Sequence, residues 1–183
     1  PNLNVSGTYN NDYEALTEVT LNIPGIQALL IDGVDWKVSC NHTDFTGYGG
    51  NDYSEEVHVW LPETTDTPYV VTAQTGDGTA QYELYTNGNL YEFHTVTYDL
   101  TGIVTDGPAK VYDPSAGDQN VDLTGTLSLI SSTTSTLPTS ITVTVDGAVV
   151  DASYDASTGV FTVAKELLTG DVVITAAAVE VVD

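Results

Sequence analysis

Arginine is absent from this chain, and lysine occurs only three times, as Lys37, Lys110 and Lys165. Without arginine there is no bidentate grip on phosphate. Three cations release few counterions from a nucleic-acid backbone, which argues against nucleic-acid or anionic-membrane partners. Methionine is also missing, and Cys40 is the sole cysteine, so no internal disulfide can form. No apolar run reaches the roughly 18 residues of a membrane-spanning helix. No signal-peptide pattern is visible, and Pro1 is a poor residue to follow a signal-peptidase cut. The expectation is a cytosolic Met-Pro start with the methionine removed. The good helix formers Lys, Arg, Met and Gln are scarce, which excludes a helical protein.

What remains is rich in Thr, Val, Tyr, Gly and Asp. The first three suit half-buried strands, and the last two suit the turns between them. With 41% hydrophobic residues among 183, the chain can bury a core. The fold class expected is all-β, with an N-terminal β-sandwich or β-barrel-like domain followed by a small sandwich. The net charge is −23, with 26 acids scattered along the whole length. Solubility and self-repulsion explain such acidity most simply. Divalent cations, high salt or DNA mimicry are sharper readings, and scattered acids do not suit a mimic's ordered rows.

Along the chain, Pro1–Asp12 reads as a polar arm or first edge strand. Glu14–Ile23 fits a strand or a short helix, its second half alternating through Val19, Leu21 and Ile23. Further strands are expected at Ile26–Asp32, Val34–Cys40, Val57–Leu61 and Tyr69–Gln74. Asn87-Gly88 between two alternating runs marks a β-hairpin, with Tyr82, Leu84, Leu90 and Phe93 as its apolar contributors. The stretch 106–121 holds two prolines and two glycines without strand pattern. It divides the chain into a domain 1–110, a linker 111–120 and a domain 121–183.

The last segment carries short strands with turns at Asp146-Gly147, Ser157-Thr158-Gly159 and Thr169-Gly170-Asp171. Leu137-Pro138 leading into Ser140–Val145, Tyr154 before the second turn, and Asp171–Thr175 closing the segment together resemble a bacterial immunoglobulin-like module. Such modules occur in phage structural proteins and Gram-positive surface proteins, so the resemblance implies a virion or envelope surface. It covers about residues 121–183 and carries no catalytic residues. The segment SSTTSTLP before Leu137 is short for such a module, so one strand is missing or supplied by a neighbour. Residues 1–110 carry no such resemblance.

No catalytic constellation is expected. There is no G-x-S-x-G elbow. His42, His58 and His94 are the only histidines, and Cys40 with His42 is one close pair where a structural zinc site needs two. Glu55-Glu56 is the one adjacent acidic pair, and neighbours on a strand face opposite ways. Calcium has better ligands in Asp113, Asp118 and Asp122, although no calcium-loop signature surrounds them. The competing reading is an exposed linker, and no cofactor is implied. Asn4-Val5-Ser6 and Asn41-His42-Thr43 match the glycosylation pattern at the frequency chance allows in so Asn-, Ser- and Thr-rich a chain. Nine of the eleven tyrosines lie within residues 1–98, with Trp36 and Trp60. Aromatics in or near loops stack on sugars or fill interfaces as readily as they line a small core. Candidate partner-binding residues are Asn2, Asn4, Tyr9, Tyr13, Tyr48, Tyr53 and Tyr69.

These readings lead to a non-enzymatic phage virion protein, made in the host cytoplasm and displayed on the particle as a capsid decoration or cement protein. Its partner would be the major capsid protein or another virion protein. The arm would grip neighbouring subunits, and the protein itself would form a homo-oligomer such as a trimer. A head-fibre or tail component is the nearest alternative. A bacterial adhesin or carbohydrate-binding module at the cell surface is the alternative of a different class.

Overall fold

The computed structural model describes residues 3–7, 16–32, 36–41, 56–62 and 67–181. The chain is all-β, its only helical pieces being short 3-10 turns among the described residues. It divides into two compact units, Pro1–Glu92 and Phe93–Asp183.

The first unit contains β1 (Leu3–Gly7), β2 (Leu16–Asn22), β3 (Ile26–Asp32), β4 (Trp36–Asn41), β5 (Glu56–Pro62), β6 (Tyr69–Thr75) and β7 (Gly78–Leu84). One antiparallel sheet runs in the order β1-β4-β3-β6-β7. β2 and β5 form a separate antiparallel ladder, Leu16 opposite Pro62 through Asn22 opposite Glu56. The stretch Glu14–Ile23 is therefore strand rather than helix where it is described. Alternation places Val19 and Leu21 from the ladder and Leu29, Ile31, Val71 and Ala73 from the sheet in one core. Pro24-Gly25 turns β2 into β3, with Gly25 at φ 71°. Within the expected arm, Leu3–Gly7 form β1, an edge strand among the described residues, paired with β4 from Leu3 opposite Cys40 to Gly7 opposite Trp36.

The Asn87-Gly88 hairpin forms as its sequence predicts. The Tyr85 N–H donates to the Asn89 carbonyl at 2.9 Å, and Gly88 takes φ 101°. Leu84 is fully buried, and Tyr82 and Leu90 pack on the core beside it. The outgoing strand, β8 (Leu90–Thr101), is twelve residues long and carries the chain into the second unit.

The second unit continues with β9 (Ile103–Thr105), β10 (Lys110–Tyr112), a 3-10 turn (Pro114–Gln119), β11 (Leu123–Leu129), β12 (Ser135–Thr136) and β13 (Thr142–Val145). Then come β14 (Ala148–Val150), β15 (Ser153–Tyr154), β16 (Val160–Val163), a second 3-10 turn (Lys165–Leu167), β17 (Val172–Ala177) and β18 (Val179–Glu180). Within it, one sheet has the order β8-β17-β13-β14, with β10 also on β8. The other has the order β15-β16-β11-β9. Leu123, Leu127, Phe161 and Val163 of one sheet share a core with Val143, Val145, Val172 and Ile174 of the other. This is a β-sandwich. Burying a side chain such as Phe161 contributes about 1.5–3 kcal/mol. The Phe161 ring fits only because Gly125 lies beneath it: a Cβ there would meet Phe161 Cζ at 2.5 Å.

The structure moves the domain boundary. The expected linker 111–120 is part of the second unit, where Val111, Ala116 and Asn120 are all buried. The Asn120 side-chain amide donates to the carbonyls of Tyr112 at 2.8 Å and Lys165 at 3.1 Å. The prolines and glycines of this stretch shape turns that pack, with Pro114 opening a 3-10 turn. A strand upstream of the C-terminal segment joins its sheet. β8 fills the place beside β17, running parallel to it, from Val96 opposite Val172 to Ala177 opposite Thr101.

Candidate functional site

β8 places His94 inward, buried beneath the sheet, and β10 pairs Val111 opposite it. Two residues past Val111 the chain reaches Asp113, whose Oδ1 lies 2.8 Å from His94 Nε2. Asp113 Oδ2 accepts the Ser115 N–H at 2.9 Å and so caps the first 3-10 turn, with Pro114 as its first residue. Partial burial pushes the Asp113 carboxyl up. Hydrogen bonds from His94 and Ser115 outweigh that effect and hold it below the usual carboxylate value. With both oxygens engaged, this carboxylate fastens a turn to a strand.

The same use of carboxylates recurs through the second unit. Asp106 accepts the Thr126 N–H at 2.7 Å, Asp122 that of Lys165 at 2.8 Å, and Asp171 that of Thr95 at 2.9 Å. Asp155 accepts both the Ser157 hydroxyl at 2.6 Å and its N–H at 2.9 Å, which holds its carboxyl below the usual value. Each aspartate sits beside a strand end or in a turn and satisfies a backbone donor from there. Sequence reasoning took the acidity as surface charge. The signal it passed over was position, since these aspartates sit next to strand ends.

The calcium candidates do not converge. Asp113 bonds His94 and Ser115, Asp122 bonds the backbone of Lys165, and Asp118 joins neither in a common ligand cluster. Tyr69, expected near a loop, begins β6 and is 6% exposed, a core residue of the first unit. The alternation Tyr69, Val71, Ala73 places it there. Asn4 lies in β1 opposite Ser39. Asn2, Tyr9, Tyr13, Tyr48 and Tyr53 lie outside the described residues. Tyr85 and Tyr91 stack edge to face at 6.0 Å beside the hairpin turn. Lys110 Nζ sits 5.4 Å from the Phe93 ring and 5.2 Å from the Tyr112 ring, a cation held between two aromatics.

The outer face of the β15-β16-β11-β9 sheet is free of charge. β11 turns Thr124, Thr126 and Ser128 outward, while its alternate residues Leu123 and Leu127 are buried. β16 adds Val160 and Thr162, β15 adds Ser153, and β9 adds Val104. Val104 is 53% exposed, and Ile130, just past β11, is 68% exposed. Asp106 and Asp155 flank this face, each tied to backbone.

No family model, curated protein or solved structure matches the chain. No helix among the described residues is long and apolar enough to cross a membrane.

Proposed function

We propose that this chain is a non-enzymatic structural protein of a phage particle, binding the outside of the shell as a decoration or cement protein. The observation that carries this reading is how the second unit spends its polar groups. Its aspartates anchor backbone N–H groups, and an uncharged sheet face bearing Val104 and Val160, with Ile130 just past β11, stays exposed between Asp106 and Asp155. Such a molecule acts by surface contact, and binding adds stability to whatever it covers by mass action. The resemblance of residues 121–183 to bacterial immunoglobulin-like modules in sequence and the all-β fold support the same setting. The partner is the major capsid protein or another virion protein, and the bound form is a homo-oligomer such as a trimer. A head-fibre or tail position uses the same chemistry.

Contacts of this chain are made mostly without positive charge, since it has three lysines. Apolar and tyrosine-rich surface supplies the affinity, and the acids steer the approach of basic partners. The test is co-sedimentation of the purified protein with undecorated phage particles. Binding should weaken only modestly at about 1 M salt, where screening cuts the reach of charge to about 3 Å. A protein that binds no particle but is retained on a polysaccharide is an adhesin or carbohydrate-binding module, and the virion reading then fails.

A further inference from the structure

The chain enters the second unit within β8, at Phe93, and leaves it beyond the end of β17. These strands are neighbours and run parallel over six residue pairs, Val96 with Val172 through Thr101 with Ala177. Tension on the two ends of the unit therefore drags β8 and β17 in opposite directions along their common axis. The bonds of a parallel ladder are evenly spaced, so this pull loads all of them at once. Had the strands been antiparallel, the same pull would have opened the bonds one after another from one end.

We propose that the second unit is a mechanical clamp, in which β8 and β17 bear tensile load in shear and shield residues 102–171 from it. Both ends of the ladder carry an additional bond. At the start, Asp171 Oδ1 accepts the Thr95 N–H at 2.9 Å. At the finish, the Ala178 N–H donates to the Thr101 carbonyl at 2.8 Å. Gly102 permits this second bond, since it takes φ 74° and a Cβ there would lie 3.0 Å from Ala178 Cβ. Val96, Val172, Ile174 and Ala176 are buried beneath the ladder, which keeps water from competing for its bonds on that face. Residues 102–171 lead from the end of β8 back to the start of β17, off the line of force. β18 is held to β12 over two residue pairs and one further bond, from the Val181 N–H to the Thr134 carbonyl at 2.8 Å, so this shorter ladder yields first and passes the load to β17.

Forced unfolding is governed by the unfolding barrier rather than by equilibrium stability. The clamp is thus a property of topology, and it holds whether or not the protein belongs to a particle. A protein anchored at one end and gripped at the other would use it.

The test is single-molecule stretching of the full chain in two geometries, both in a Cys40→Ser background with cysteine handles. Handles at the two chain ends shear the ladder. Handles at the C-terminus and at Thr101→Cys, an exposed position at the end of β8, unzip it. The second unit is identified by a contour gain of roughly 300 Å in the end-to-end geometry. Its unfolding force should be severalfold higher in shear than in unzipping. Asp171→Ala should lower the shear force and leave the unzipping force unchanged. Equal forces in the two geometries would overturn the proposal, as would extension of residues 102–171 before β8 and β17 separate.

Discussion

The carboxylate of Asp171 accepts a hydrogen bond from the backbone N–H of Thr95, at 2.9 Å and 76 positions apart in sequence. It joins the residue before β17 to the residue that precedes the first rung on β8. A side chain thus continues a ladder that the backbone has not yet begun.

Replacing Asp171 with alanine leaves that N–H without its partner at the mouth of the sandwich. A charge-assisted bond of this kind contributes about 1 kcal/mol net when partly exposed. Urea titration should show that loss in the second unit, while Asp151→Ala, at an exposed position between β14 and β15, should change it little. Equal effects from the two variants would mean that the bond carries no weight.

Acid should loosen the second unit through Asp113 and Asp155, whose folded carboxyls both lie below the usual value. A depressed folded value means that the unfolded chain takes up the proton first. The stabilisation is present above the ordinary carboxylate range and is lost as pH falls through the folded values. Thermal melts between about pH 5 and pH 2.5 should show the decline, since ordinary aspartate titrates near 3.9. Asp113→Asn should be less stable at neutral pH and flatter across that window.

Tyr98 is pushed up to about 12 by burial and by the nearby charge of Asp106. Its hydroxyl donates to the Pro108 carbonyl at 2.7 Å. The folded value lies above the unfolded one, so this group's contribution is complete below about pH 10 and declines as pH rises toward 12. Ultraviolet titration of the folded protein should contain a late-ionising component that Tyr98→Phe removes. A full set of tyrosines ionising near 10 with the fold intact would contradict the assignment.

Gly125→Ala places a methyl group 2.5 Å from Phe161 Cζ and 3.0 Å from the Cα of Gly107. Overpacking of this kind costs about 1–3 kcal/mol. Trimming the ring with Phe161→Leu should recover part of that cost, so the double variant should lose less than the sum of the single losses. Denaturation midpoints of the four proteins give the answer.

Residues 93–183 expressed alone should form the sandwich, because they keep β9 and the part of β8 that pairs with β17. Residues 121–183 should not, because β17 would lose its parallel neighbour and β11 would lose its pairing with β9. Circular dichroism and hydrogen exchange distinguish the two. A folded 121–183 fragment would restore the boundary that the Pro- and Gly-rich stretch suggested.

Much of the strand pattern is local and could be read directly. Alternation in Tyr69–Thr75 and Val160–Val163 decides which side chains face inward, because successive residues on a strand point to opposite faces. Asn87-Gly88 and Asp146-Gly147 declare their turns because both need positive φ, taken by Gly88, Asp146 and Gly147. The same alternation already places Tyr69 in the core. Partner choice is different in kind. Nothing within Leu90–Thr101 states that its second half pairs with residues more than seventy positions later, because a strand's outward donors and acceptors are the same whichever strand it meets. That pairing moved the domain boundary to Glu92–Phe93 and turned an expected linker into packed structure around Asn120. It also gave the aspartates their work. Composition set the charge, but only the fold brought Asp171 to Thr95, Asp122 to Lys165 and Asp113 to His94, because each bond joins groups that the chain keeps far apart until its strands are paired.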